Sequence, residues 1–221
     1  MTDTNVTKGV LRTPKAAAIA GIVFSVLLIT TFTMLRLALP TDPSSSIEVF
    51  RVRAETITLA VSLIPFAGVA FLWFVGVIRD RLGPLEDRLF ATVFLGSGLL
   101  FLAMLFCAAA VVLSTVVALS PNSAVRIDAN TFAFARNLTF HLMNVYAIKM
   151  AAVFMITTST LAAYTRFVPK YVAYLGYPLA LLILFGSQYR EWSFFIFPVW
   201  VLLLSTQILI DNYRHVLYPR S

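Results

Sequence analysis

Charge is scarce in this chain. Only 12% of its 221 residues are charged, against about 25% in an average soluble domain. A soluble fold of this size needs polar surface to cover its core, and that surface is missing. Cysteine is nearly missing too. Cys107 is the sole one, which excludes an intrachain disulfide, a Cys-x-x-Cys metal site and c-type haem attachment. The two histidines are His141 and His215. They fall at opposite ends of the apolar pattern described below, so a bis-histidine haem site is not expected, and each is read as a hydrogen-bonding residue. No paired intramembrane carboxylates, His-x-x-Glu-His zinc motif, Gly-x-Ser-x-Gly elbow or glycine-rich phosphate loop occurs. No catalytic constellation and no cofactor is expected.

What the chain has instead is hydrophobicity, at 60% of residues. A membrane-spanning helix needs about 20 consecutive apolar residues, and the gaps between charges supply them. Lys15 and Arg36 enclose the first gap, Glu55 and Arg79 the second, and Arg88 and Arg126 a long third. Lys149 alone interrupts the stretch between Arg136 and Arg166. Lys170 to Arg190 and Glu191 to Asp211 close the series. The expectation is an all-α membrane protein, a single domain over 1–221 built as a bundle of six transmembrane helices. The spans fall at about 16–37, 55–79, 90–119, 135–164, 171–189 and 192–210. The first apolar run is longer than the 7–15 residues of a cleaved signal, so it is read as a retained span.

Orientation follows the Lys and Arg bias. With the N-terminus inside, Lys8, Arg12, Lys15, Arg79, Arg81, Arg88, Arg166, Lys170, Arg214 and Arg220 are cytoplasmic. Arg36, Arg51, Arg53, Arg126, Arg136 and Arg190 are outside. The larger inner set predicts that both termini are cytoplasmic. The net charge of +7 then belongs to span flanks, and no nucleic-acid partner is implied.

The connection Pro40-Thr41-Asp42-Pro43-Ser44-Ser45-Ser46 is a turn cluster. Ser45 and Glu48 have capping-box spacing, which predicts one long second helix from near Ser46 to Arg79.

Two groups of residues are candidates for function. Asn137, His141 and Asn144 stand at i, i+4 and i+7, one face of an α-helix, with Lys149 about 80° round from His141. They form a polar intramembrane face on span four. It is either a pocket or ion path facing the protein interior, or interhelical hydrogen bonding plus a snorkelling lysine. Arg36, Arg51, Arg53 and Arg136 gather at the outer ends of spans, against the positive-inside trend. They could hold an anionic lipid headgroup or an acidic partner face, or be neutralised along the helix by Glu48 and Glu55.

Small residues recur every four positions at Ala17, Gly21 and Ser25, and again at Ala103 and Cys107, with Gly96 two turns earlier. Such patterns allow close backbone approach in membranes. Trp192 suits an interfacial belt, while Trp73 and Trp200 are read as apolar bulk.

Gly76, Asp80, Arg81 and Gly83 have a spacing that resembles the Gly-x-x-x-Asp-Arg-x-Gly inner loop of major facilitator transporters. In that family the loop locks helix ends by charge pairing. This chain departs from it at Pro84-Leu85-Glu86, where the family has a basic pair. The longer runs Ile64-Pro65-Phe66-Ala67-Gly68-Val69-Ala70-Phe71-Leu72-Trp73-Phe74-Val75-Gly76 and Asp87-Arg88-Leu89-Phe90-Ala91-Thr92-Val93-Phe94-Leu95-Gly96-Ser97-Gly98 are similar to a group of uncharacterised bacterial integral membrane proteins. That resemblance implies a bacterial plasma membrane location, with no established activity and no catalytic residue.

The leading expectation is a non-catalytic membrane protein that works by binding. It would be an accessory or assembly subunit of a larger membrane complex, or a homo-oligomer. Its partners are the lipid bilayer, other membrane subunits or its own copies, and an anionic headgroup. The alternatives are a small transporter or channel using the span-four face, and an embedded enzyme acting on lipid or quinone.

Overall fold

The computed structural model describes residues 13–38, 47–82, 88–120, 123, 127–165, 168–186 and 193–217. The turn cluster with Ser45, the loop from Gly83 through Glu86, and Trp192 lie outside them. The chain is 95% helix without strands among the described residues. The order is α1 (Thr13–Ala38), α2 (Ile47–Val52), α3 (Ala54–Ser62), α4 (Ile64–Leu82), α5 (Arg88–Ala118), α6 (Ala129–His141), a π-helical segment (Leu142–Ala147), α7 (Ile148–Thr165), α8 (Lys170–Gly186) and α9 (Ser193–Leu217). Five helical stretches are long and apolar enough to cross a membrane, and Lys170–Gly186 is a shorter apolar helix.

The expected single second helix is three pieces. Pro65 has no amide to offer the Val61 carbonyl, and its ring crowds the preceding turn. The helix is broken there and restarts after Leu63. The Leu63 amide pairs instead with the Ala60 carbonyl at 3.3 Å. The buried Thr31 hydroxyl of α1 donates to that same carbonyl at 3.2 Å, which ties α1 to the break. A second irregularity sits at Arg53 (φ −97°, ψ 8°), where the bonds Arg53 N–H to Val49 O and Ile57 N–H to Arg53 O carry the helical path through. Span four also begins earlier than expected. Its helical path runs from Ala129, where Asp128 caps the first turn by accepting from the Thr131 amide at 2.9 Å.

α1 packs against α9 and α4, α5 against the span-four helices, and α7 against α8. The bundle closes on a layer of phenylalanines. Phe24 of α1, Phe71 of α4, Phe101 of α5, Phe154 of α7 and Phe197 of α9 interlock, with centroid separations from 4.7 Å to 6.4 Å among their contacting pairs. All five rings are buried. Each such pair contributes about 0.5–1.5 kcal/mol beyond the area it buries. Phe74 and Phe94 extend the layer through Phe71 and Phe154.

The small-residue reading holds on α1. Ala17, Gly21 and Ser25 are buried, and Gly21 is pressed by the Ser205 hydroxyl and by the Phe74 ring at 2.8 Å from a Cβ position. It fails on α5. Ala103 and Cys107 are exposed, and nothing lies within 4 Å of a Cβ built on Gly96. Among the described residues, that face of α5 has no partner.

Gly21→Ala should therefore destabilise the protein by about 1–3 kcal/mol, the usual cost of overpacking. Gly76→Ala, with open space around it, should be neutral or slightly stabilising. Thermal unfolding in detergent distinguishes them, and equal midpoints would refute the packing assigned to Gly21.

Candidate functional site

The end of the bundle that bears the start of α6 gathers most of the candidate residues. Depth along it can be counted from the phenylalanine layer at about 1.5 Å per residue. On that scale Leu119, just past α5, lies about 27 Å from the layer. Arg51, Arg53 and Arg136 lie about 27–30 Å from it. Arg36 is lower, at about 18 Å. The four arginines thus split into a level trio and a separate fourth.

α2 docks this end together. Its Phe50 ring meets Phe132 of α6 edge-on at 5.5 Å. Its Arg51 donates from Nε to the Leu119 carbonyl at 3.2 Å. The last carbonyls of a helix are unpaired and carry the negative end of its dipole, so a cation there is favourable. This gives Arg51 a local partner, and it differs from the expected pairing of Arg51 with Glu48 or Glu55, both of which are exposed. Arg53 is exposed as well, while Arg36 and Arg136 are half-buried and both engaged in interactions.

The span-four face does not line the interior. Asn137 and His141 are exposed, and Asn144 and Lys149 are half-buried. His141 Nδ1 sits 2.7 Å from the Asn137 carbonyl, and Asn144 donates to the Phe140 carbonyl at 3.1 Å. These bonds stay within one helix instead of bridging to another. The i, i+4, i+7 spacing presumed an unbroken α-helix. The π segment breaks that periodicity, since the Ile148 amide pairs with Met143, five residues back. Counted from Phe154, Asn137, His141 and Asn144 lie about 25, 20 and 15 Å from the layer, and Lys149 about 7 Å.

The interior beside the π segment is apolar. A void of about 10 Å³ is bounded by Met143, Ala147, Phe32, Phe101 and Phe197, among others. A site that small and nonpolar stays dry. A larger groove, about 370 Å³, opens between the end of α5 and the start of α6. Ala110, Ser114 and Ala118 face Ile127, Thr131 and Ala135 across it.

A second polar region was not anticipated from sequence. Thr157, Thr158 and Ser159 are buried consecutively on α7. The Thr157 and Thr158 hydroxyls bond back to the Phe154 carbonyl, and the Thr160 hydroxyl meets the Tyr177 hydroxyl at 2.8 Å. Ser159 Oγ and Trp200 Nε1 converge on Gly176. Both are buried without a hydrogen-bond partner, as is Ser205 Oγ. The available signal was four successive hydroxyl residues inside a charge-free gap. Among the described residues, no three His, Cys, Asp or Glu side chains gather in a metal-holding group.

Outside the spans, Asp128 is held below the ordinary carboxylate range, first by the Thr131 hydroxyl and then by its amide. The depressed value means that its contribution to stability is present above the ordinary range and is lost as pH falls through the folded value. No protein family, curated protein or solved structure matches the chain.

Two outcomes follow for this end of the molecule. Amide exchange in the first turn of α6 should accelerate as pH falls below the ordinary carboxylate range, after correction for intrinsic rates, and Asp128→Asn should remove that dependence. Arg51→Ala should loosen the last turn of α5, whereas Arg53→Ala should leave it unchanged. Identical exchange at residues 115–119 in both arginine variants would refute the capping role.

Proposed function

We propose that this is a six-span integral membrane protein of a bacterial plasma membrane, with both termini cytoplasmic, that acts by binding other proteins. Its place is as an accessory or assembly subunit of a membrane complex, or as a homo-oligomer. The sixth span is Lys170–Gly186, whose 17 residues reach about 26 Å and fall at the short end of known spans. The orientation rests on the Lys and Arg bias, and the bacterial location on the resemblance stated above.

The phenylalanine layer gives the depth register. Phe24, Phe71 and Phe197 lie within about 6 Å of the middles of the charge-free gaps 16–35, 56–78 and 192–210. A hydrocarbon core of about 30 Å centred on the layer ends some 15 Å to either side. On that register Lys149 sits in the outer half and snorkels toward the boundary. Exposed Tyr146, at about 12 Å, belongs to the interfacial belt. Asn144 marks the boundary. The remainder of span four before it, the last turns of α5, α2 and most of α3 stand clear of hydrocarbon.

The observation that carries the reading is this projecting helical end. It holds the polar and basic residues on surfaces turned outward, above an axis filled by aromatic rings. A binding role uses such a surface. A conduction role would use a wetted interior beside span four, where the lining is apolar.

Cysteines introduced at Ser45 and Val52 should react with an impermeant thiol reagent on intact cells, and one at Gly83 should not. Labelling at Gly83 would overturn the orientation. Lys149→Leu should leave expression and complex recovery within a factor of two of wild type. Purification from native membranes in mild detergent should recover a stable multi-chain assembly, and solute flux by the purified chain in liposomes would favour the transporter instead.

A further inference from the structure

Between Asp128 and Glu191 the chain has no acidic residue, whereas Arg136, Lys149, Arg166, Lys170 and Arg190 fall in that stretch. Within it, at the end of the bundle opposite the head, α7 gives way to α8. Exposed tyrosines stand on both sides of that turn. Tyr164 of α7 is 82% exposed, and Tyr171 and Tyr174 of α8 are 66% and 60% exposed. Lys170, which opens α8, is exposed as well.

Most of these residues share a level. Tyr164 follows Phe154 along α7 and lies about 15 Å from the phenylalanine layer. On α8 the register comes from Gly176, which meets Ser159 of α7 and Trp200 of α9. Ser159 is about 7 Å past the layer, so Tyr174, Tyr171 and Lys170 stand at about 10, 15 and 16 Å. A hydrocarbon core of about 30 Å ends at that level. Further along α8 the exposed side chains are Leu181, Leu182 and Phe185. Tyrosine at the edge and purely apolar residues within is the order of a lipid-facing helix.

Among the described residues Lys170 makes no ion pair. α8 packs against α7 and α9. α7 has no acidic residue. The acidic residue of α9 is Asp211, which is already engaged and stands about 7 Å further from the layer than Lys170. The groups on offer at this edge are therefore an ammonium and phenolic hydroxyls, all able to donate hydrogen bonds. They fit a ligand that is negative, rich in acceptors and found where hydrocarbon meets water. A phospholipid headgroup of net negative charge has those properties. A zwitterionic headgroup carries its own ammonium, which offsets the attraction of its phosphate for Lys170.

We propose that the adjoining ends of α7 and α8 bind an anionic phospholipid, with Lys170 on its phosphate and the tyrosine hydroxyls on phosphate or ester oxygens. The proposal rests on the membrane register above and is independent of any protein partner. With both termini cytoplasmic, the site faces the leaflet whose anionic lipids attract basic residues.

The test uses the full chain in nanodiscs of equal parts phosphatidylcholine and phosphatidylglycerol. Native mass spectrometry after release should find phosphatidylglycerol retained about fivefold over phosphatidylcholine, the weight of one lysine at an anionic surface. Lys170→Gln should bring the ratio near one, with helical circular dichroism unchanged. Lys170→Arg should keep the ratio, and Tyr171→Phe, which removes only a hydroxyl, should lower it. Those two variants carry the test if Lys170→Gln does not fold. Arg53→Gln removes the same charge at the other end of the molecule and should leave the ratio unchanged. Equal retention of the two lipids by wild type, or equal losses in Lys170→Gln and Arg53→Gln, would overturn the site. Displacement of the lipid by inorganic phosphate would mark a free-anion site and overturn the lipid assignment. If the preference follows Lys170 while a cysteine at Gly83 is labelled from outside, the site stands and the proposed orientation fails.

Discussion

A hydrocarbon layer of about 30 Å is the constraint on which this account depends. It sets the lengths of the apolar gaps and decides which polar residues need explaining. α1 and α9 run to about 39 and 38 Å and α8 to about 26 Å at 1.5 Å per residue. The helical paths through α2–α4, α5 and α6–α7 exceed that thickness further, and most of their excess lies at the end that bears α2 and the start of α6. That asymmetry is what the proposed projecting head rests on. It also changes the problem posed by Asn137 and His141. These groups would be costly in hydrocarbon. The proposed projection relieves them of that cost, and the His141 ring bonds to a carbonyl of its own helix.

The phenylalanine layer fixes that geometry from within. In a bilayer, helices gain little from the hydrophobic effect when they associate, because lipid tails are as apolar as the side chains they replace. Packing must supply the specificity. Five rings from five helices interlock at one level, so a shift of any one helix along its axis disturbs contacts to several others. Gly21 and Gly176 serve the same end by admitting Phe74, Ser205, Ser159 and Trp200 where a side chain would collide.

The long apolar helices were legible because charges in this chain are few and delimit them. The α1 packing face was legible from the spacing of Ala17, Gly21 and Ser25. Three features were not. Pro65 marked a break, but the second bond that the Ala60 carbonyl accepts beside it, from Thr31, depends on a neighbouring helix that local sequence does not reveal. The π segment has no composition signature, so the step from His141 to Asn144 and Lys149 rested on a periodicity the chain keeps only as far as His141. Arg51 looked like half of an ion pair with a glutamate, because the Leu119 carbonyl it caps is distant in sequence. The same spacing argument that succeeded on α1 misassigned Ala103 and Cys107, since small residues favour a close contact without saying whether the partner belongs to the same chain.

The central claim is the height of the head above the membrane. The most direct measurement is the collision of spin labels, placed one at a time at Leu100, Tyr146, Leu138 and Phe134, with oxygen and with a water-soluble nickel chelate in lipid bilayers. All four sites are exposed. The account predicts oxygen-dominated collisions at Leu100, comparable collisions with both probes at Tyr146, and nickel-dominated collisions at Leu138 and Phe134. Oxygen-dominated collisions at Phe134, with exclusion of nickel, would place α6 in the hydrocarbon and contradict it.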